Sequence, residues 1–201
     1  MILQVPYIDQ TPIAPTGCEC VSAVMLLQYL GLDIDFDTFF RQYVDKSPYY
    51  AENGQWLGGD PNAAFVGDPH DPGAMGCYAP VICRALERAL GTEWEIRDLT
   101  GADTQTLLRY LDTGCPVVYW CTLDMLPPVE GPSWQVIGEN RTFTWRSNEH
   151  CMLLVGYDAE RLWFLDPWKN HGLISHDRAL AELRHSQQYA MAVTAIPKKG
   201  Y

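Results

Sequence analysis

The chain has 201 residues, 25 of them acidic and 14 basic, for a formal net charge of −11; 47% are apolar and 19% charged. A chain this acidic lacks the basic footprint that phosphate backbones require, so no nucleic-acid partner is expected. Seven Trp and eleven Tyr argue against disorder, and a norm of about 150 residues per domain predicts one compact domain over residues 1–201.

The start, Met1 to Pro6, has no basic region and no long apolar stretch, so no signal peptide is visible. The compartment stays open between the cytoplasm and secretion with a signal removed. No apolar run reaches the ~20 residues that cross a bilayer, so no membrane partner is expected. The first strong element is a helix from Cys18 to Leu30. Its apolar residues fall nearly all round, which marks a buried helix, and Gly31 stops it. A second helix, about Asp37 to Val44, has Asp35 or Asp37 as its cap. Residues 46 to 80 then carry turn punctuators every few positions, including Asn53–Gly54, Gly58–Gly59–Asp60–Pro61 and Asp71–Pro72–Gly73. With Trp56, Phe65 and Tyr78 among them, they read as an irregular wall around a cleft.

Pro80 to Leu90 is a helix with one apolar face, ended by Gly91, and Asp103 to Leu111 is another. The pattern then changes. Cys115 to Cys121 is a continuous apolar strand, and Phe143 to Arg146 a second. Glu149 to Tyr157 is apolar on both parities. Arg161 to Asp166 follows a tight turn at Asp158–Ala159–Glu160. A short helix at about Asp177 to His185 and a strand from Tyr189 to Ile196 finish the chain. Helices first and an antiparallel sheet later make an α+β arrangement, with a helical part over about 1–112 and a sheet part over about 113–201. The seven cysteines are odd in number and too few for a disulfide scaffold. They predict a reduced interior, with Cys83, Cys115, Cys121 and Cys151 as small buried hydrophobes.

Cys18 stands where Pro15–Thr16–Gly17 turns into the first helix. A helix N-terminus carries positive potential and unpaired N–H groups, so it is expected to lower the thiol pKa and favour the thiolate. Gly17 would let a substrate backbone approach. An ordinary packing cysteine has equal claim on that window alone. Five histidines are candidate bases. His70 lies in the Gly/Pro-rich stretch, and His171, His176 and His185 lie in polar surroundings. His150 alone opens an apolar strand. If the turn at 158–160 makes a hairpin, His150 and Asp166 arrive at the same end of it, where the carboxylate can fix the tautomer of the ring. Trp168 is placed to shield the pair. Gln10, in the loop VPYIDQTPIAPTG, can donate to a developing oxyanion, with the Cys18 N–H as second donor.

This order (glutamine, cysteine at a helix start, distant histidine and aspartate on paired strands) resembles that of papain-like cysteine peptidases. The stretch GCECVSAVMLLQYLG with Gln10 upstream looks closest to the bacteriocin-processing (double-glycine leader) peptidases, family thirty-nine of the cysteine peptidases, and more so to their free-standing relatives. HCMLLVGYD, LWFLDPW and FVGDPHDPGAMGCYAPVICRAL extend the likeness over most of the chain. The resemblance implies a papain-like α+β fold, with Cys18 as nucleophile, His150 as base, Asp166 as its orienter and Gln10 as oxyanion donor. Cys20 departs from the relatives' pattern and is the alternative nucleophile.

The expected activity is hydrolysis of a peptide or small amide, with no cofactor. Acyl transfer on the same thiol, or a catalytically silent peptide-binding module, are the alternatives. Metal binding is not expected. Cys18–Glu19–Cys20 is too tightly spaced for a zinc knuckle, and Asp60, Asp68 and Asp71 match no EF-hand loop.

Overall fold

The computed structural model describes residues 2–198. Its helices are α1 (Cys18–Tyr29), α2 (Phe36–Tyr43), α3 (Ala79–Leu90), α4 (Thr104–Asp112) and α5 (Arg178–Gln187). Its strands are β1 (Lys46–Ser47), β2 (Tyr49–Glu52), β3 (Gln55–Gly58), β4 (Phe65–Val66), β5 (Trp94–Asp98), β6 (Val117–Thr122), β7 (Glu130–Val136), β8 (Thr142–Arg146), β9 (Glu149–Tyr157), β10 (Arg161–Asp166), β11 (Gly172–Asp177) and β12 (Ala192–Pro197). A six-stranded sheet in the order β11-β10-β9-β6-β12-β5 is antiparallel throughout. A four-stranded sheet, β2-β3-β7-β8, lies apart from it.

Side chains alternate across a strand, and that period decides the layers. Val118, Trp120, Cys151, Leu153 and Val193 pack with the apolar residues of α1, α2 and α3. Val117, Tyr119, Met152, Leu154, Phe164 and Ala192 pack with those of α4 and α5. The large sheet therefore carries helices on both faces, which is why β6 and β9 read as apolar on both parities. α1 lies between the sheet and the other helices of its face, so Cys18 to Leu27 are all buried. Three helices begin on an aspartate that accepts a backbone N–H. Asp35 takes Thr38 at 2.7 Å, Asp103 takes Thr106 at 2.7 Å and Asp177 takes Leu180 at 2.9 Å.

Residues 46 to 80 are more regular than the sequence suggests. Asn53 (φ 50°) and Gly54 (φ 78°) turn β2 back on β3 as a two-residue hairpin. β3 then pairs in parallel with β7. The strands absent from the sequence reading include β2, β3, β5, β7 and β11, which carry mostly polar or half-exposed residues and lack a clear apolar alternation, and the two-residue pair β1 and β4, too short to show one. The last strand starts at Ala192 rather than Tyr189, because Tyr189 (φ 62°) and Ala190 (φ 50°) adopt left-handed backbone. All seven cysteines are free thiols; Cys115, Cys121 and Cys151 are buried as expected, whereas Cys83 is only partly so. Among the described residues no helix is long and apolar enough to cross a membrane.

Candidate active site

Cys18 is the first residue of α1, and its mount is rigid. Ser22 Oγ donates to the Cys151 carbonyl at 3.3 Å and ties α1 to β9. Thr16 Oγ1 contacts the carbonyls of Pro69 and Asp71 at 3.2 and 3.1 Å and ties the preceding turn to the loop. The helix cap, Gly17, offers no side-chain acceptor, so the first N–H groups of α1 stay available. Gly17 is also required by packing. A Cβ there would come within 3.0 Å of Ala14 Cβ and 3.1 Å of the Phe36 ring.

The lowered thiol pKa expected at a helix start is not found. Burial, and then the charges of Glu19, Glu149 and Cys151, push the Cys18 thiol well above its ordinary value; the Cys151 N–H acts in the opposite direction. Half a helix-dipole charge does not offset loss of water beside two acids. The thiol donates to Glu19 Oε2 at 3.5 Å. Glu19 is fully buried, and its other oxygen, Oε1, accepts the Cys77 N–H at 2.7 Å. Burial pushes Glu19 up to about 7. Glu149 is raised too, by burial first and by Glu19 second, and its Oε1 is buried without a hydrogen-bond partner. The Cys18 sulfur and one oxygen from each glutamate lie within 4.8 Å of one another.

His150 and Asp166 meet because of a β-bulge. Near the turn, Leu162 pairs with Tyr157 and Trp163 with Gly156; after the irregularity Phe164 pairs with Leu154 and Leu165 with Leu153. Continued in the first register, Asp166 would oppose Leu153 and point to the other face of the sheet. The extra residue on β9 moves Asp166 to the face that carries Met152 and His150. Their contact is 2.7 Å, His150 Nε2 to Asp166 Oδ1. Asp166 Oδ1 also accepts the Trp168 N–H at 3.0 Å, and Oδ2 contacts His171 Nδ1 at 2.7 Å. Burial works to raise the Asp166 pKa, but the bond and charge of His150, the Trp168 amide and His171 outweigh it and hold the carboxyl below its ordinary value. A carboxylate can only accept, so it places a proton on His150 Nε2 and leaves Nδ1 as the basic nitrogen.

Gln10 is buried and held by the same segment that follows Asp166. Its N–H donates to the Pro167 carbonyl at 2.9 Å, and the Lys169 N–H donates to Thr11 Oγ1 at 2.9 Å. Its side-chain Nε2 donates to the Pro15 carbonyl at 3.0 Å, which uses one of its two hydrogens.

Gln10, Cys18, Glu149, His150 and Trp168 line one cleft of about 280 Å³. Pro72, Gly73, Ala74 and Met75 of the turn-rich stretch form one wall, and Leu123, Pro132 and Trp145 another. Asp166 stands behind His150. Cys20 is fully buried beside Cys77 and does not line the cleft. The other candidate histidines lie elsewhere or behind. His70 is bound between Asp68 (2.7 Å) and Asp37 (3.1 Å), and His185 is stacked on Tyr119. The loop aspartates are engaged within the fold: Asp60 with Arg141, Asp68 with His70, Asp71 with the Gly73 N–H.

Three residues of the site escape the sequence reading. Glu19 had a signal, since a carboxyl on a helix that is buried all round must find a partner. Glu149 offers the same signal more weakly, as an acid opening an apolar strand. His171 had none, because five residues separate it from Asp166 across a turn with left-handed Lys169 (φ 48°) and Asn170 (φ 56°).

A model of the Peptidase_C39 like family matches residues 2–192. The uncharacterized protein YvpB of Bacillus subtilis (strain 168) is 30% identical over 152 residues, which are 76% of this chain and 58% of that protein. The chain thus spans a little over half the length of that curated relative. A solved structure from Bacillus anthracis, assigned to the C39-like peptidases, superposes with a TM-score of 0.86 at 27% identity, covering 99% of this chain and 98% of the other. The peptidase domain of Streptococcus ComA, a bi-functional ABC transporter involved in quorum sensing, superposes with a TM-score of 0.54 at 14% identity over 98% of this chain and all of that domain. That last likeness is one of fold.

Proposed function

This chain belongs to the Peptidase_C39 like family, and we propose that it is a cysteine peptidase with Cys18 as nucleophile, His150 as general base and acid, Asp166 as orienter and Gln10 as oxyanion donor. The observation that carries the reading is the 2.7 Å bond from His150 Nε2 to Asp166, which leaves Nδ1 as the basic nitrogen of a histidine lining the same cleft as Cys18.

The resting thiol bonds Glu19, so activation begins with rotation of Cys18 away from it. His150 Nδ1 takes the thiol proton, and the thiolate attacks the substrate carbonyl. The second Nε2 hydrogen of Gln10 and the Cys18 N–H hold the oxyanion. The imidazolium returns its proton to the departing amine. Water, deprotonated by His150, then releases the acyl group and restores the thiol. Asp166 keeps the ring aligned through these transfers, its own carboxylate steadied by the Trp168 N–H.

The test is peptide cleavage by the purified chain, read by mass spectrometry on a mixture of sequences. Cys18→Ala and His150→Ala should abolish cleavage while retaining the wild-type melting profile. Cleavage that survives in Cys18→Ala refutes the assignment. Added amines that divert the product to a new amide would make the enzyme an acyltransferase on the same thiol. Peptides that bind without being cut would make the cleft a binding module.

A further inference from the structure

Glu19 has no part in the proposed reaction, yet no side chain is closer to its nucleophile by hydrogen bonding. Its carboxyl is fixed at both ends. Oε1 accepts from Cys77 N–H and Oε2 accepts from the Cys18 thiol. The space it occupies exists because residue 76 is glycine: any Cβ there would overlap Glu19 Oε1, and the backbone is left-handed (φ 140°). Glu149, with its orphaned Oε1, faces the same sulfur from β9. A buried carboxyl oxygen with no partner is costly when ionised, and each acid's charge opposes the other's, so burial here favours a protonated carboxyl.

We propose that Glu19 is a positioning residue that parks the Cys18 thiol away from His150, and that Glu149 sets when it does so. This rests on Cys18 being the nucleophile. With Glu19 ionised, its oxygen holds the S–H, and its charge opposes formation of a thiolate alongside. With Glu19 protonated that opposition goes, and the thiol is free to turn to His150. The proton on the sulfur moves only to His150 Nδ1; the carboxyl pair takes its own proton from solvent. Other titratable groups face Glu19: Cys18 and Cys20 from α1, Cys77 and Tyr78 ahead of α3, and Glu149 and Cys151 from β9. The nearest cations act one step removed, Lys46 on Cys20 and Arg146 on Tyr78.

The experiment is the rate of Cys18 alkylation by iodoacetamide from pH 5 to 9, followed on the Cys18 peptide by mass spectrometry. It needs no substrate, so it decides this point even if no peptide is ever cleaved. Glu19→Gln keeps the Cys77 bond and removes the charge. The ratio of its rate to the wild-type rate should be near one at pH 5.5 and climb through neutrality to about tenfold or more at pH 8, since one pH unit in a thiol pKa changes its thiolate fraction about tenfold. A ratio that stays flat near one overturns the proposal. Should Glu19→Gln fail to fold, Glu149→Gln serves. It removes the neighbour that opposes Glu19 ionisation, so the suppression of labelling should begin at lower pH than in the wild type. A pH profile identical to wild type overturns the proposal equally.

Discussion

His185 makes the stability of this protein depend on pH, and the size of the effect follows from its surroundings. The ring is 3% exposed and stacks on Tyr119 with centroids 4.1 Å apart. Nδ1 donates to the Trp120 carbonyl at 2.8 Å, and Nε2 is buried without a partner. Among the described residues no carboxylate bonds the ring, and burial pushes the pKa from the ordinary 6.5 down to about 4. Between those values the unfolded chain binds a proton that the folded one refuses, so stability falls as pH falls. The gap corresponds to ~3 kcal/mol lost by pH 4. Glu19 acts in the reverse sense. Its folded pKa, raised to about 7, lets the folded state take up a proton first, so it adds stability as pH falls from 7 toward 4.5. A variant that keeps Glu19 cancels that contribution in the difference. His185→Gln retains an N–H for the Trp120 carbonyl and removes the titration. Its cost at pH 7, from lost stacking, should shrink by ~3 kcal/mol at pH 4, measured by urea unfolding at each pH. Parallel stability curves for the two proteins from pH 7 to 4 would refute the reasoning.

Asp166→Ala should lower kcat for peptide cleavage by about a hundredfold, within the range of general acid–base assistance. Asp166→Asn should cost less, because an amide oxygen still accepts from His150 Nε2; equal losses would show that charge rather than orientation matters. Gln10→Ala should lower kcat by ~10²-fold with little change in KM, the mark of a donor that acts on the oxyanion. A change confined to KM would move Gln10 to substrate binding. Gly76→Ala should destabilise the fold by ~2 kcal/mol or more in urea unfolding, since it forces a side chain into left-handed backbone and displaces Glu19 from the Cys77 amide. Wild-type stability in that variant would show that the carboxyl has another place to go.

The elements that were legible share one property: their local pattern and their tertiary role agree. α1 is apolar all round because it is covered all round, and β9 is apolar on both parities because helices lie on both faces of its sheet. Cys18, His150 and Asp166 stand out for the same reason, as polar groups at the ends of such elements. The rest depended on information the pattern does not hold. Alternation alone cannot say that β9 carries one extra residue, and a regular hairpin would have sent Asp166 to the face away from His150. Supports for that irregular register come from far off in the chain: the Leu3 N–H donates to the Val155 carbonyl at 2.8 Å, and Ile2 bridges Gly156. The thiol pKa failed for a related reason. A helix N-terminus is a local feature and argues for a thiolate, whereas the burial that chiefly opposes it comes only with folding, as does the charge of Glu149 from over a hundred residues downstream; Glu19, the next residue, adds its own charge. In both cases what decides the sign arrives with tertiary packing. That is why the sequence brings forward candidate groups more readily than their resting state, and why the protonation of Glu19 is worth measuring alongside the reactivity of Cys18.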